Sequence, residues 1–350
     1  MAVELLQKEY ESGYLRYIEN HPQVTLEFLW GWRDLLQQHF KFIPKYLVRR
    51  NAQGIIDGVL PLFLTESIFG RRLVSIPYAV SAGVLADSEK AAQELVYFAE
   101  QLARQEKVSF LEIREQKKRD WFPSSFVSSE TVSSFSLSLS SPIDEVWKKL
   151  PKRSVRWGIK KAGKSGLTWD YGTSREYLDH FYDLFLHTRK HRGVPAYPYA
   201  YLKGILNLFG DNARIYLARH QGKVIAAIFL LYYKKEVRYA FAGARQDIKT
   251  LQLQPYHLLL WEAIKDACAN GYTQFNFGGA AIITNDGGLY DFKRKWADTI
   301  VPISSYFYLK EGQTIPSQEG TMIKIAARAW KHLPRPVIKA VSPYVIRQFV

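Results

Sequence analysis

A chain of 350 residues with 47% apolar and 15% aromatic side chains holds more than one typical core, so two domains are expected, and a disordered or fibrous chain is excluded. A net charge of +15 favours anionic partners: nucleic acid, an anionic membrane or phosphorylated substrates. The single cysteine excludes an internal disulfide and a multi-cysteine metal site.

The start, MAVELLQKEYESGY, has acidic residues and no long apolar run, unlike a signal peptide, and no stretch reaches the ~18 apolar residues of a membrane span. A cytoplasmic location is expected. The first half alternates strands and helices. Apolar spacing predicts a helix over 28–40. Strands follow at 45–49 and 55–65, joined by the turn at 51–54. The run GVLPLFL (58–64) reads as a strand buried on both faces. A helix over 91–105 and a strand over 109–114 come next. A serine-rich run with the alternating FSLSLS leads towards a second domain.

A short helix begins near Asp144, with Ser141 or Asp144 as cap. In PKRSVRWGIKKAGKSG (151–166), Val155, Ile159 and Ala162 share one helical face, and Arg153, Arg156, Lys160 and Lys164 another. That second face is either a solvated basic surface or a phosphate-binding stripe. A strand over 167–171 and a helix over 175–190 follow. His187 and His191 lie four apart, but Arg189, Lys190 and Arg192 surround them and repel a cation, so no metal is expected.

From 213 onwards, strand, turn and strand repeat the layout of 46–63 in pattern rather than identity, as two copies of one α/β unit would. Helical spacing over 258–268 places Cys268 on an apolar face, as a packed thiol. After Gly271 comes a strand over 273–277, then a Gly-Gly break at Gly278–Gly279. The loop with Asn285, Asp286, Gly287 and Gly288 then leads to a helix bearing Phe292, Lys293, Arg294, Lys295 and Trp296. Polar groups at the end of a strand mark where open α/β sheets hold ligands. The site is therefore expected in the second copy or the cleft between copies. No Ser–His–Asp order and no P-loop appears. The tail, 321–350, is basic and amphipathic: Met322, Ile325, Ala326, Ala329 and Trp330 share a face, and Lys324, Arg328 and Lys331 another. It is expected either to dock on its own domain or to lie on an anionic membrane, at the inner face of the cell membrane.

The segments HTRKHRGVPAYP, AAIFLLYYKKEVRYAFAG, LQPYHLLLWEAI, YTQFNFGG and GLYDFKRKW, with GVLPLFL and FGRRLVSIP in the first half, resemble the FemAB-like proteins of the GNAT superfamily. The match covers roughly residues 20 to 310 and is closest to members associated with exosortase and exopolysaccharide systems. The resemblance implies an α/β (α+β) fold of two tandem GNAT-like domains, each a mixed sheet flanked by helices, over 1–140 and 141–312, with a tail over 313–350. It implies an N-acyltransferase, an aminoacyltransferase in the best understood members, acting on an amine of a phosphorylated envelope precursor, peptidoglycan or polysaccharide. The donor is aminoacyl-tRNA; acyl-CoA or an acyl carrier protein is the alternative, and a non-enzymatic membrane-surface module a third reading. No cofactor is implied. The lysine of the family's GL-x-x-FK motif is Lys293 here, beside the reacting acyl group, where its ammonium would stabilise the oxyanion. Asp291, Glu262 or Asp286 could serve as base. Arg192 matches a phosphate-binding position. His187, Tyr197, Arg153, Arg156, Tyr239, Asn276, Gly278 and Arg294 complete the substrate-binding candidates. A Q/R-x-x-G-x-G/A pyrophosphate loop and a coiled-coil arm are both missing.

Overall fold

The computed structural model describes residues 2–282, 288–316 and 321–349, the last without the side chains of 321–324. Two compact units form. One is Met1–Ser133 with Val301–Ser317 and Arg347–Val350; the other is Ser134–Ile300 with Gln318–Ile346. Residues 301–312, expected with the second domain, thus belong to the first unit. Most of the tail belongs to the second.

The first unit contains β1 (Ala2–Leu5), α1 (Glu11–Asn20), α2 (Trp30–Phe40), β2 (Ile43–Pro44), β3 (Leu47–Arg50), β4 (Ile56–Leu60), β5 (Leu62–Ser67), β6 (Gly70–Ser75), β7 (Leu85–Ala86), α3 (Glu89–Gln105) and β8 (Phe110–Glu115). The chain leaves it within β9 (Phe126–Ser138). The strand expected over 55–65 is two strands, because Pro61 has no N–H for a ladder and breaks the pairing. β4 then pairs with β3 and β7, and β5 with β2 and β6. α3 is capped by Ser88 Oγ, which accepts the Ala91 N–H at 3.2 Å. Its Leu95, Val96 and Ala99 pack on Leu60, Leu62, Leu111 and Ile113.

The second unit holds α4 (Ile143–Lys149), α5 (Trp157–Lys164), β10 (Leu167–Gly172), α6 (Arg175–Arg192), α7 (Tyr199–Phe209), β11 (Ala213–His220), β12 (Lys223–Tyr233), β13 (Glu236–Ala244), α8 (Ile248–Gln252), α9 (Pro255–Ala269), β14 (Gln274–Ala281) and α10 (Gly288–Trp296). β15 (Thr299–Leu309) returns the chain to the first unit; α11 (Thr321–His332) and α12 (Arg335–Ile346) close the second. Its sheet runs β10–β11–β12–β13–β14. Neighbours are antiparallel except β13 and β14. Alternation along β12 sends Phe229 to Phe181 of α6 at 5.6 Å, while Ile228 and Leu230 join Leu259, Ala263 and Ile264 of α9. β12 is therefore buried and apolar from Ile225 to Leu231. α4 begins after Pro142 with no side-chain cap, so neither Ser141 nor Asp144 caps it.

α11 and α12 pack on α6. Ile338, Ser342 and Ile346 are buried, and Ser342 Oγ accepts the Ala196 N–H at 3.1 Å. A close helix–sheet approach lies at Gly243 of β13, where a Cβ would overlap the backbone of Leu184 and Phe185 in α6. Gly243→Ala should cost about 2–4 kcal/mol, because backbone cannot step aside as a side chain can. A denaturant-unfolding midpoint unchanged from the parent would contradict this packing.

Candidate active site

β13 and β14 pair over three residues only: Glu236 with Gln274, Val237 with Phe275, and Arg238 with Asn276. Both strands then continue, β13 still paired to β12 as far as Ala244 and β14 running to Ala281. A register shift between Phe229 and Leu230, opposite Phe241 and Tyr239, marks the same level of β13. Parallel strands that stop pairing leave a wedge lined by backbone polar groups, at the carboxyl end where such sheets bind ligands.

The last paired rung is tied together by side chains. Glu236 accepts from Arg238 Nε at 2.9 Å and from Asn276 Nδ2 at 2.8 Å. Asn276 Oδ1 accepts the Gly278 N–H at 2.8 Å. Gly278 has φ +71, open to glycine without steric cost. A Cβ there would lie 3.6 Å from Lys293 Nζ and 3.7 Å from the Tyr239 carbonyl oxygen, so both border this turn. Gly278–Gly279 is not the expected break; the backbone turns locally at Gly278 and β14 resumes.

α10 delivers Lys293 to the wedge. Trp296, one turn later, is buried and anchors the helix. Lys293 is 7% exposed, and its Nζ donates to the Gly279 carbonyl at 2.7 Å. Burial, then the charges of Arg192 and Arg238, pull its pKa from 10.5 down to about 7. Arg192 ends α6 and is exposed. Its charge acts on Lys293, Tyr239 and Tyr256, which places it beside the wedge. Burial raises the Tyr239 phenol, and it pushes Tyr256 up to about 12 against the Thr188 hydrogen bond and Arg192. Thr188 Oγ1 also accepts the Ala244 N–H at 2.9 Å, fastening α6 to the end of β13.

The structure thus brings together Lys293, Arg192, Tyr239, Asn276 and Gly278. Other expected residues stand apart from this cluster. Asp291, with its side chain 56% exposed, pairs with Arg294 at 3.3 Å on the solvent side of α10. Neither residue reaches the wedge, because the helical turn carries them away from Lys293. Glu262 pairs with Lys265 at 2.7 Å. Asn285, Asp286 and Gly287 lie outside the described residues. Tyr197 packs on Phe241 at 5.4 Å and Tyr201 at 5.6 Å. His187 is half-buried, its pKa lowered by burial and by Arg245 and Lys190. Among the described residues no three metal-ligating side chains cluster. Arg153 and Arg156 occupy a π-helical turn, Lys152–Arg156, that meets α10. Arg153 is exposed, and the buried Arg156 Nε has no hydrogen-bond partner.

Sequence reading missed Arg238, Tyr256 and His257. Glu236 and Arg238 alternate in β13 on one face, which was a usable signal. His257 offered none: it meets Phe292 edge-to-face at 5.8 Å and Trp296 at a tilt at 5.6 Å, and burial, then Lys295, lowers its pKa to about 4. A Cβ on Gly158 of α5 would overlap its ring. α5, α9 and α10 therefore meet at this neutral imidazole, which seats the helix bearing Lys293.

Comparison with known proteins agrees with this geometry. Residues 151–294 match a family model described as an acetyltransferase (GNAT) domain. The UDP-N-acetylmuramoylpentapeptide-lysine N(6)-alanyltransferase of Weissella viridescens is 26% identical over 136 residues, 39% of this chain and 40% of that protein. The match thus spans about two fifths of the relative's length. The crystal structure of FemX superposes with a TM-score of 0.65 and 14% identity, over 89% of this chain and 98% of its own. A tandem GNAT protein from the clavulanic acid biosynthesis pathway superposes at 0.52 with 12% identity, over 90% and 99%. Residues 151–294 thus match a GNAT acetyltransferase domain, the chain is similar over two fifths of its length to an alanyltransferase, and its fold is that of FemX.

Proposed function

We propose that this chain transfers an aminoacyl group from an activated ester to a primary amine of a cell-envelope precursor, in the wedge between β13 and β14. The observation that carries the reading is a buried ammonium: Lys293 Nζ, bonded to the Gly279 carbonyl beside an open strand end. The activity named for the Weissella relative, alanyl transfer to a lysine amine of a muropeptide, supports the acceptor class. The amine nitrogen attacks the carbonyl carbon, a C–N bond forms and the π electrons move to oxygen. The C–O bond to the leaving group then breaks, and the proton lost by nitrogen passes to the departing oxygen. An ammonium has three donors. One holds Gly279, which leaves the others for the oxyanion in a site of low dielectric. Arg192, exposed and charged, suits a substrate phosphate. Of the cations in 148–164, only Lys148 and Lys149 pair with carboxylates among the described residues. That surplus beside α10 supports a phosphate-rich donor, aminoacyl-tRNA. A thioester donor, acyl-CoA or an acyl carrier protein, is the second reading, favoured by the acetyltransferase description of the matched domain.

Lys293→Met should lower kcat at least about 100-fold with KM little changed, because its charge acts on the transition state. Arg192→Ala should raise KM for a phosphorylated acceptor about tenfold. The assay follows labelled alanine from charged tRNA, or acetyl from acetyl-CoA, to a UDP-muropeptide. Full turnover by Lys293→Met would end this reading.

The pH dependence follows in sign. The ammonium is present below about 7, so the rate should fall as pH rises through that value. Arg192→Ala removes a charge that lowers the lysine pKa, so the falling limb should move to higher pH. A limb that stays in place would detach Lys293 from the titration.

Stability obeys the same linkage. A lysine whose folded pKa lies below its unfolded 10.5 costs stability fully below about 7, and the cost fades as pH rises towards 10.5. Lys293→Met should therefore raise Tm, more at pH 6 than at pH 9; equal shifts at both would show that the lysine is not desolvated.

A further inference from the structure

We propose that the outward face of α11 and α12 is a docking surface for an anionic lipid bilayer. The inward face is already used. Ile338, Ser342 and Ile346 are buried, and Arg335 pairs with Asp183 of α6. Gly193, at the end of α6, has no room for a Cβ because the Ala327 carbonyl of α11 sits against it. The two helices are therefore seated on the second unit, and their other side is left to solvent.

That other side has a defined chemistry. On α12, Val337, Ala340 and Tyr344 recur at three- and four-residue spacing; Val337 is 41% and Tyr344 70% exposed. On α11, Ile325 is 57% exposed. Arg328 and Lys331 are exposed on α11 with Ile325, and Lys339 is exposed at the rim of α12, its Nζ 6.0 Å from the Tyr182 ring of α6; none forms an ion pair among the described residues. From 321 to 349 the sequence has six Lys and Arg and no Asp or Glu. Lys190, His191 and Arg192 at the adjoining end of α6 extend the same sign of charge. No helix among the described residues is long and apolar enough to cross a membrane.

An apolar stripe flanked by cations and free of carboxylates matches the headgroup boundary of an anionic leaflet: aliphatic and tyrosine side chains enter, and lysine and arginine meet phosphate. A nucleic acid would use the cations but leave Val337, Ala340 and Ile325 against a polar surface. On its seated side α11 meets the end of α6 at Gly193, one residue beyond Arg192.

Sedimentation with vesicles tests this. The full chain should sediment with phosphatidylcholine vesicles containing about 30% phosphatidylglycerol, and not with pure phosphatidylcholine. Val337→Ser with Tyr344→Ser, and separately Lys331→Glu with Lys339→Glu, should each weaken binding about tenfold or more. These side chains are exposed, so each double variant should stay folded, which its Tm checks beside the vesicle assay, and Lys293→Met should bind as the parent does whatever its turnover. Failure of the parent chain to bind anionic vesicles overturns the proposal, as does binding that both double variants retain. Uncharged tRNA that competes for the face, with variants that lose tRNA but keep vesicles, would reassign it to nucleic acid.

Discussion

A lysine ammonium held out of water, with no carboxylate partner among the described residues, is the costly feature around which the second unit is arranged. Burying a cation is unfavourable unless it is paired or hydrogen-bonded. Lys293 has one backbone carbonyl, and two further cations press on it. The fold tolerates this because α10 is locked elsewhere, by buried Trp296 and by the contact of both Phe292 and Trp296 with His257. Among the described residues its one hydrogen-bond partner is the Gly279 carbonyl, and under the proposed function the remaining donors would meet negative charge that appears only during a reaction.

The wedge exists because backbone pairing stops while both strands go on. Two clamps hold it open. On one side α6 presses into β13 at Gly243, and Thr188 bonds the backbone of Ala244. On the other side α5, α9 and α10 converge where Gly158 meets His257. Between them the Glu236–Arg238–Asn276 cluster closes the last paired rung and orients the Gly278 turn through Asn276. A carboxylate lies within the same network, but Arg238 and Asn276 occupy it, so it does not neutralise Lys293.

The positive charge of the chain is divided by role. Much of it is paired in the first unit, as in Arg49 with Glu94 and Arg71 with Glu106. In the second unit, the α5 helix, Arg192 and the outward side of α11 and α12 keep cations without carboxylate partners among the described residues. One excess read from composition thus separates into three settings: a buried ammonium, an exposed guanidinium beside it, and helical surfaces.

The periodicity of the chain by itself determined most elements, because burial of one face imposes periods of 2 and 3.6 on apolar residues. α3, α6, α9 and β12 were legible for that reason, and so was α10 with Lys293 at its core-facing position. Pairing was not legible. That 55–65 is two strands parted by Pro61, and that Gly278–Gly279 lies inside β14, depend on hydrogen bonds between distant segments. That Asp291 and Arg294 pair with each other, half exposed, while Lys293 between them is buried depends on how the helix turns its neighbouring side chains. Tertiary structure alone decided that Arg238 and Tyr256 stand beside Lys293 and that the basic tail spends one face on α6. Desolvation depends on what surrounds a group in space, and no local pattern encodes it.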